Sequence, residues 1–217
     1  MDLKELIEGY RELPAASVAD AVDAVVGRAG FMSGAIRQAV PGKLVGPAAT
    51  VLEGPGDRAG PPIHALMTID ESDPGTVVVI GLENQEGSPD VAVWGGLMTT
   101  AAVTRGLGGA VLDAGLRDLE ETRQAGFPVF CRSVVPASTV GRYVTVDRGV
   151  PVVCGSALVR PGDIVVGDAD GVVVVPRDAA EEVLASARQV EAAEQAMEEA
   201  IRRTGSIITA LEEFGRI

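Results

Sequence analysis

The stretch TVVVIGLENQEGSPDVAVWGGLMTTAAVTRGLGGAVLDAGLRDLEETRQAGFPVFCR (76–132) contains four apolar runs separated by segments of different character. The runs are TVVVIGL (76–82), VAVW (91–94), GAVLD (109–113) and FPVFCR (127–132). Near-continuous runs rich in Val and Ile are typical of parallel strands buried on both faces. The intervening segments predict a polar loop at 83–90, a helix over GGLMTTAAVTRGL (95–107), a turn at Ala114-Gly115 and a polar helix near 117–125. This alternation predicts βαβ units, whose functional loops lie at the carboxyl ends of the strands.

The segments before this stretch predict helices and one further strand. The first helix ends before Pro14, and the second begins at an N-cap, Ser17, and ends at Gly27. Residues 43–53 predict an interrupted strand, and residues 63–70 predict a short helix.

Beyond about residue 140 the pattern changes to closely spaced strands with Gly and Pro turns. These are YVTV (143–146), VPVVCG (150–155), DIVVGD (163–168) and GVVVVP (171–176). Asp170-Gly171 predicts a hairpin, and residues 178–203 predict a long charged helix. We therefore predict an α/β fold in a single domain, 1–217. A β/α half at about 15–140 precedes a β-rich half with a terminal helix at about 141–205.

Composition excludes several classes of partner. The 217 residues carry a net charge of −13, and aromatic residues make up only 3%. Such a chain offers neither a cationic surface for phosphates nor aromatic platforms for bases, so no nucleic-acid partner is expected. No run of about 18 apolar residues occurs and no signal peptide is recognisable, so we expect no membrane partner and a cytoplasmic location. Cys131 and Cys154 lie in apolar runs and are expected to be buried free thiols.

The single histidine and the two lysines limit which catalytic mechanisms are possible. His64 is the only histidine, which excludes multi-histidine metal sites, and its apolar helical surroundings favour a structural role. A Schiff-base aldolase needs a lysine in a desolvated pocket. Lys4 lies in an amphipathic helix and Lys43 opens a strand, so neither has that context.

The segment LDAGLRD (112–118) is the most informative candidate site. Arg117 and Asp118 follow a buried strand and a Gly-containing turn. The planar fork of Arg117 suits a carboxylate, and Asp118 offers the hard oxygen ligand that Mg²⁺ prefers. The pair could therefore bind substrate and metal together. A surface ion pair explains these two residues equally well, because the negative charge of Asp118 interacts favourably with the dipole of the helix that follows.

Two further features could contribute to such a site. Gly95, Gly96, Leu97 and Met98 open a helix, where unpaired N–H groups can bind an anion, although close strand–helix packing also explains the glycines. Glu191, Glu194 and Glu198 share one face of the terminal helix. They predict either a solvated face or an acid that reaches the site of a neighbouring subunit.

Several fragments together resemble a known family. They are WGGLMTTAA, GAVLDAGLRD, FPVFCR, VPVVCG, VRPGDIVVGDADGVVVVP and the Glu-rich terminal helix, in that order over roughly residues 15–205. This combination resembles the family of regulator of ribonuclease E activity A and the 4-hydroxy-4-methyl-2-oxoglutarate/4-carboxy-4-hydroxy-2-oxoadipate aldolases. The resemblance implies a swivelling β/β/α-type α/β fold that forms trimers or dimers of trimers.

The resemblance also implies roles for individual residues. Gly95-Gly96-Leu97-Met98 would bind a 2-oxo acid, Arg117 would hold the substrate, and Asp118 would anchor Mg²⁺ or Mn²⁺. A glutamate of the adjacent subunit, Glu194 first and Glu191 second, would support water at the metal.

The implied activity is that of a class II aldolase, which releases pyruvate and decarboxylates oxaloacetate as a side activity. Characterised aldolases of this family often carry an acid where this chain has Gly96, so the proton-handling group is left open. A different metal-dependent lyase or decarboxylase, and a non-catalytic inhibitor of a ribonuclease, remain alternatives.

Overall fold

A computed structural model describes residues 1–57, 60–84, 88 and 90–214. It is a mixed α/β single domain whose large sheet curves into a nearly closed barrel and which ends in helices. The helices are α1 (Leu3–Arg11), α2 (Ala15–Val26), α3 (Ile63–Glu71), α4 (Gly96–Thr104), α5 (Leu119–Gln124), α6 (Ala180–Thr204) and α7 (Ile207–Phe214). The strands are β1 (Arg37–Val40), β2 (Leu44–Pro55), β3 (Val77–Leu82), β4 (Ala92–Trp94), β5 (Gly109–Leu116), β6 (Val129–Val134), β7 (Tyr143–Arg148), β8 (Val152–Cys154), β9 (Ala157–Val159), β10 (Ile164–Asp168) and β11 (Gly171–Val175).

A parallel core carries the predicted βαβ character. The large sheet has the order β1-β6-β5-β3-β2-β10-β11, with β4 added to β5 and β7 added to β2. The pairs β2–β3, β3–β5, β5–β6 and β4–β5 are parallel, so their carboxyl ends meet at one edge. Every residue of β3 and β5 is buried, which explains why these strands are continuously apolar rather than alternating.

The antiparallel half joins this core through β2. Its first residues pair with β10 and its last with β7, so one 12-residue strand serves both halves. The hairpin predicted at Asp170-Gly171 is confirmed, because Asp168 of β10 pairs with Gly171 of β11. The helices α1, α2 and α6 pack a second apolar cluster against this side of the sheet.

Two local predictions were wrong. The expected turn at Ala114-Gly115 is absent, because β5 continues to Leu116 and Gly115 pairs with Ser133 of β6. A Cβ on Gly115 would lie only 2.5 Å from Val135 Cγ1, so this glycine permits close strand approach rather than a reversal. Ser17 is not an N-cap either, because α2 begins at Ala15 and the Ser17 side chain is buried.

Three further expectations concern the polar loop at 83–90, membrane-spanning helices and the two cysteines. Of the polar loop predicted at 83–90, residues 85–87 and 89 lie outside the part that the structure describes. No helix within the described ranges is long and apolar enough to cross a lipid bilayer. Cys131 and Cys154 are buried and free, as predicted.

Glu53, near the carboxyl end of β2, is a buried acid with no partner among the described residues. Its side chain is fully buried, and neither carboxyl oxygen has a hydrogen bond. Loss of hydration raises the pKa of Glu53 to about 8. Between the ordinary pKa of 4.5 and this value, the folded chain holds a proton that the unfolded chain has lost. Stability should therefore fall as the pH rises through this interval.

We expect Glu53→Gln to remove this pH dependence. The amide has a similar size and does not ionise, so its own desolvation cost is the same at every pH. The unfolding free energy of the variant relative to wild type should increase by about 3 kcal/mol between pH 5 and pH 8. Urea denaturation across this range measures it, with the exposed Glu12→Gln as control. A difference that stays constant with pH would contradict the neutral state of Glu53.

Candidate functional site

The Arg117-Asp118 pair lies where β5 ends, at the carboxyl edge of the parallel strands. Asp118 adopts a left-handed backbone conformation with φ 56° and stands at the N-cap of α5. Asp is one of the few residues besides glycine that visit this region readily, so the sharp change of direction falls on Asp118 rather than on Gly115. Its carboxylate Oδ2 accepts a hydrogen bond of 3.0 Å from the backbone N–H of Gly96. Asp118 therefore caps α4, the helix that precedes β5.

Arg117 and Asp118 also form an ion pair with each other. Arg117 Nε lies 3.6 Å from Asp118 Oδ2, and the two side chains keep 45% and 40% of their surface exposed. An exposed pair at this distance contributes little stability, so it does not by itself explain the arrangement. Both side chains retain free polar atoms that face solvent. The pair is thus available to a ligand.

The helix-opening segment provides the second side of the site. A Cβ on Gly95 would lie 2.9 Å from Asp118 Oδ2 and 3.0 Å from Arg117 Nε. The absence of a side chain at Gly95 therefore leaves room for the ion pair at the junction of β5 and α5. The N–H of Gly96 is used by Asp118, whereas the N–H groups of Leu97 and Met98 have no acceptor among the described residues.

A cavity of about 440 Å³ opens beside these groups. Its apolar wall includes Pro61, Leu66, Trp94 and Met98, and Arg117 is the only charged residue among its described lining. Arg117 also borders a smaller cavity of about 280 Å³ together with Asp118. One cation at the mouth of an apolar pocket suits a small organic anion.

A buried hydrogen-bond network fixes α4 and α5 beneath the site. Trp94 Nε1 donates to Thr99 Oγ1 at 2.9 Å, and Thr99 Oγ1 lies 3.2 Å from Thr122 Oγ1. Thr122 Oγ1 in turn donates to the backbone oxygen of Asp118 at 3.1 Å. These bonds hold the first turns of both helices in register, so the Asp118 carboxylate has a defined position at the start of α4.

Glu121 is a functional candidate that the sequence analysis missed. It lies one turn after Asp118 in α5, and its carboxylate Oε2 occupies the space that a Cβ on Gly96 would need. The available signal was the spacing Asp-x-x-Glu, in which Asp118 is the N-cap and Glu121 the third residue of α5. The polar composition of α5 concealed it, because α5 contains other exposed charges.

The terminal glutamates lie away from this site in the same chain. Helix α6 packs against α1, α2 and α7, and the structure does not bring Glu191, Glu194 or Glu198 to Arg117. Glu191 accepts a hydrogen bond of 3.0 Å from Ser17 Oγ and another from Gln195. Glu194 is exposed and has no ion pair or hydrogen bond to any described residue. Of these acids, Glu194 is therefore the one free to reach a neighbouring molecule.

Comparison with known proteins identifies the family. A family model described as RraA-like (Aldolase/RraA) matches residues 15–174. The chain belongs to the RraA-like (Aldolase/RraA) family. A relative from Halalkalibacterium halodurans, named "Putative 4-hydroxy-4-methyl-2-oxoglutarate aldolase", is 33% identical over 197 residues, covering 91% of this chain and 89% of the relative.

Two solved structures of similar chains support the same fold. An uncharacterized protein from Pseudomonas syringae pv. tomato superposes with a TM-score of 0.83 at 32% identity, covering 95% of this chain and 96% of that one. Streptomyces coelicolor RraAS2, described as an unusual member of the RNase ES inhibitor RraA protein family, superposes with a TM-score of 0.75 at 27% identity. The match covers 88% of this chain and 94% of RraAS2. The RraA-like family thus includes members named for an aldolase and for a ribonuclease inhibitor.

Asp118 is the carboxylate of this site that could hold a divalent cation. Within the described ranges no group of three or more His, Cys, Asp or Glu side chains could hold a metal. Mg²⁺ keeps several waters and usually takes only one or two protein carboxylates, so a complete cage is not required. Asp118 and Glu121 both lie beside Gly96, and Asp118 is paired with Arg117.

Proposed function

We propose that this protein is a divalent-metal-dependent carbon–carbon lyase of the aldolase type. Its substrate would be 4-hydroxy-4-methyl-2-oxoglutarate or a related 2-oxo acid, its product pyruvate, and oxaloacetate decarboxylation its side activity. The observation that carries this proposal is the position of the exposed Arg117-Asp118 pair against the start of α4, beside a cavity of about 440 Å³. Membership of the RraA-like family and the aldolase name of the 33% identical relative support it.

Arg117 and the first turn of α4 would bind the carboxylate of the substrate. The guanidinium can donate two parallel hydrogen bonds to a carboxylate, and the free N–H groups of Leu97 and Met98 can donate to the same end. Gly95, by lacking a side chain, lets the Arg117-Asp118 pair lie directly against the start of α4. These contacts would orient the C3–C4 bond of the substrate toward Asp118, which borders the smaller cavity beside Arg117.

Asp118 would hold Mg²⁺ or Mn²⁺, which supplies Lewis acidity that stabilises negative charge on the 2-oxo oxygen. Glu194 from a neighbouring subunit would complete the acidic side of the site, because it does not approach Asp118 within one chain. The proposal therefore includes a homotrimer or a dimer of trimers with sites between subunits. The exposed apolar residues of α7, among them Ile207 and Ile208, are compatible with burial in such an assembly.

The decisive test of the proposed function is pyruvate release. We expect pyruvate from 4-hydroxy-4-methyl-2-oxoglutarate and from oxaloacetate in the presence of Mg²⁺ or Mn²⁺, and loss of at least about 10²-fold in rate after chelation. A coupled lactate dehydrogenase assay measures both reactions, with metal added back to the chelated protein as control. No pyruvate from either substrate would refute the proposed function.

Two alternative functions remain candidates for specific reasons. Gly96 replaces the acid that characterised aldolases often carry, which favours a related metal-dependent lyase or decarboxylase with a different 2-oxo acid. The similarity to Streptomyces coelicolor RraAS2 favours a non-catalytic protein that inhibits a ribonuclease. Retention of a purified ribonuclease of the E type, without turnover of any 2-oxo acid, would support the inhibitor.

A further inference from the structure

The carboxylate of Glu121 occupies the place where the family's loop acid would begin. A side chain on Gly96 would collide with Glu121 Oε2, and its Cβ would lie 3.3 Å from Asp118 Cβ. An acid at position 96 and Glu121 in its present conformation therefore exclude each other. The Glu121 carboxylate, carried by α5, thus lies at the start of α4 where a side chain at position 96 would begin.

Glu121 and its neighbour Glu120 differ in whether their carboxylates have partners. Glu120 forms an ion pair of 2.9 Å with Arg123 on the same helix. The Glu121 carboxylate forms no ion pair and no hydrogen bond with any residue in the described ranges, although it lies close to another acid, Asp118. Asp118 already has the Arg117 guanidinium and the Gly96 N–H as partners, so Glu121 is the acid beside the start of α4 whose carboxylate is available to a water or a proton.

We propose that Glu121 provides the acid that the loop lacks at Gly96, and that it accepts, through one intervening water, the proton that leaves the C4 hydroxyl of the substrate. This inference rests on the proposed aldolase function. As the C4 O–H bond breaks, its electron pair forms the C4 carbonyl. The C3–C4 bond breaks, and its electrons form the enolate of pyruvate. The proton then returns from Glu121 through the same water to C3, which completes pyruvate without any oxidant or reductant.

With this role, Glu121 should affect aldol cleavage and oxaloacetate decarboxylation to different extents. Aldol cleavage must begin with removal of the C4 hydroxyl proton, so a positioned base contributes directly to its rate. Oxaloacetate has no such hydroxyl and loses CO₂ from an ionised carboxylate, so bond cleavage needs no base, and its enolate can take the C3 proton from solvent. Glu121 should therefore matter for cleavage far more than for decarboxylation, whereas Asp118 and Arg117 should matter for both.

The first experiment compares Glu121→Gln with Glu120→Gln in the metal-loaded protein. In Glu121→Gln we expect the maximal rate of aldol cleavage to fall about 10²-fold or more, with oxaloacetate decarboxylation reduced less than about 5-fold. Glu120→Gln, which removes the same charge one residue away, should leave both rates near wild type. Equal losses in the two reactions, or no loss in either, would overturn the role of Glu121.

The second experiment moves the acid back to the loop. Gly96→Asp alone should leave the Tm of the metal-free protein within about 3 °C of wild type, because the atom that its side chain would meet is the end of the flexible, exposed Glu121 side chain, which can rotate away. The double variant Gly96→Asp/Glu121→Ala should recover at least about tenfold of the cleavage rate lost in Glu121→Ala. No recovery of cleavage by a double variant that keeps the Tm of wild type would refute the exchange of roles.

Different results would contradict the proposed aldolase function and the proposed role of Glu121. A wild-type protein that releases no pyruvate from either substrate removes the aldolase function and the proton transfer with it. A wild-type protein that cleaves the substrate, together with a fully active Glu121→Gln, removes only the role of Glu121.

Discussion

Replacing Asp118 with Asn should lower pyruvate release from both substrates by about 10³-fold, because the proposed metal ligand loses its charge. Lewis-acid stabilisation is worth several kcal/mol, and about 4 kcal/mol corresponds to this factor. Asn is the appropriate replacement, since it tolerates the left-handed conformation found at φ 56° and its amide oxygen can still accept from Gly96 N–H. The Tm of the metal-free variant should therefore stay close to that of wild type.

Metal binding separates this loss from a general effect of charge. Titration with Mn²⁺, followed by electron paramagnetic resonance, should show affinity reduced at least about tenfold in Asp118→Asn. The control is Asp23→Asn, which removes an exposed acid of α2 and should change neither affinity nor rate. Unchanged pyruvate release by Asp118→Asn would refute the assignment of the metal to this residue, whatever its effect on Mn²⁺ affinity.

The parallel core could be predicted from the sequence because its strands are long apolar runs with clear boundaries. TVVVIGL and GAVLD have no plausible alternative in a chain of this composition, and their order places Arg117-Asp118 at the carboxyl edge. The short strands β1 and β9 were not recognised, since three or four residues carry too little periodicity. Helix α7 lies beyond the point where the terminal helix was expected to end.

The details of the site depend on contacts that local sequence does not encode. A glycine such as Gly115 is typical of a turn. Here Val135, from another part of the chain, packs against it, and Gly115 lies within a strand. The left-handed conformation consequently falls on Asp118. The contact between Glu121 and Gly96 exists only because α4 and α5 pack through Thr99 and Thr122. The residue types of the site could therefore be predicted from the sequence. The position of Glu121 beside Gly96 could not, because it depends on how two helices pack.

Mixed assemblies of two inactive variants should recover activity if the site is shared between subunits. Asp118→Asn and Glu194→Ala should each lower cleavage strongly, the second by about 10²-fold. In one chain Glu194 lies on α6, which makes no close packing contact with the elements that carry Arg117 and Asp118. A site in a mixed trimer is intact when one subunit supplies Asp118 and its neighbour supplies Glu194. Random association should therefore restore about one quarter of the wild-type rate.

The control for this experiment combines two variants that damage the same half of the site. Arg117→Ala and Asp118→Asn, co-expressed with different tags and purified as hybrids, should show no recovery, because no subunit then carries both residues. Recovery in the first mixture and none in the second would place Glu194 opposite Arg117-Asp118 across a subunit boundary. Hybrids of Asp118→Asn and Glu194→Ala that remain as inactive as their parents would contradict the shared site, and a monomer by light scattering would do so independently.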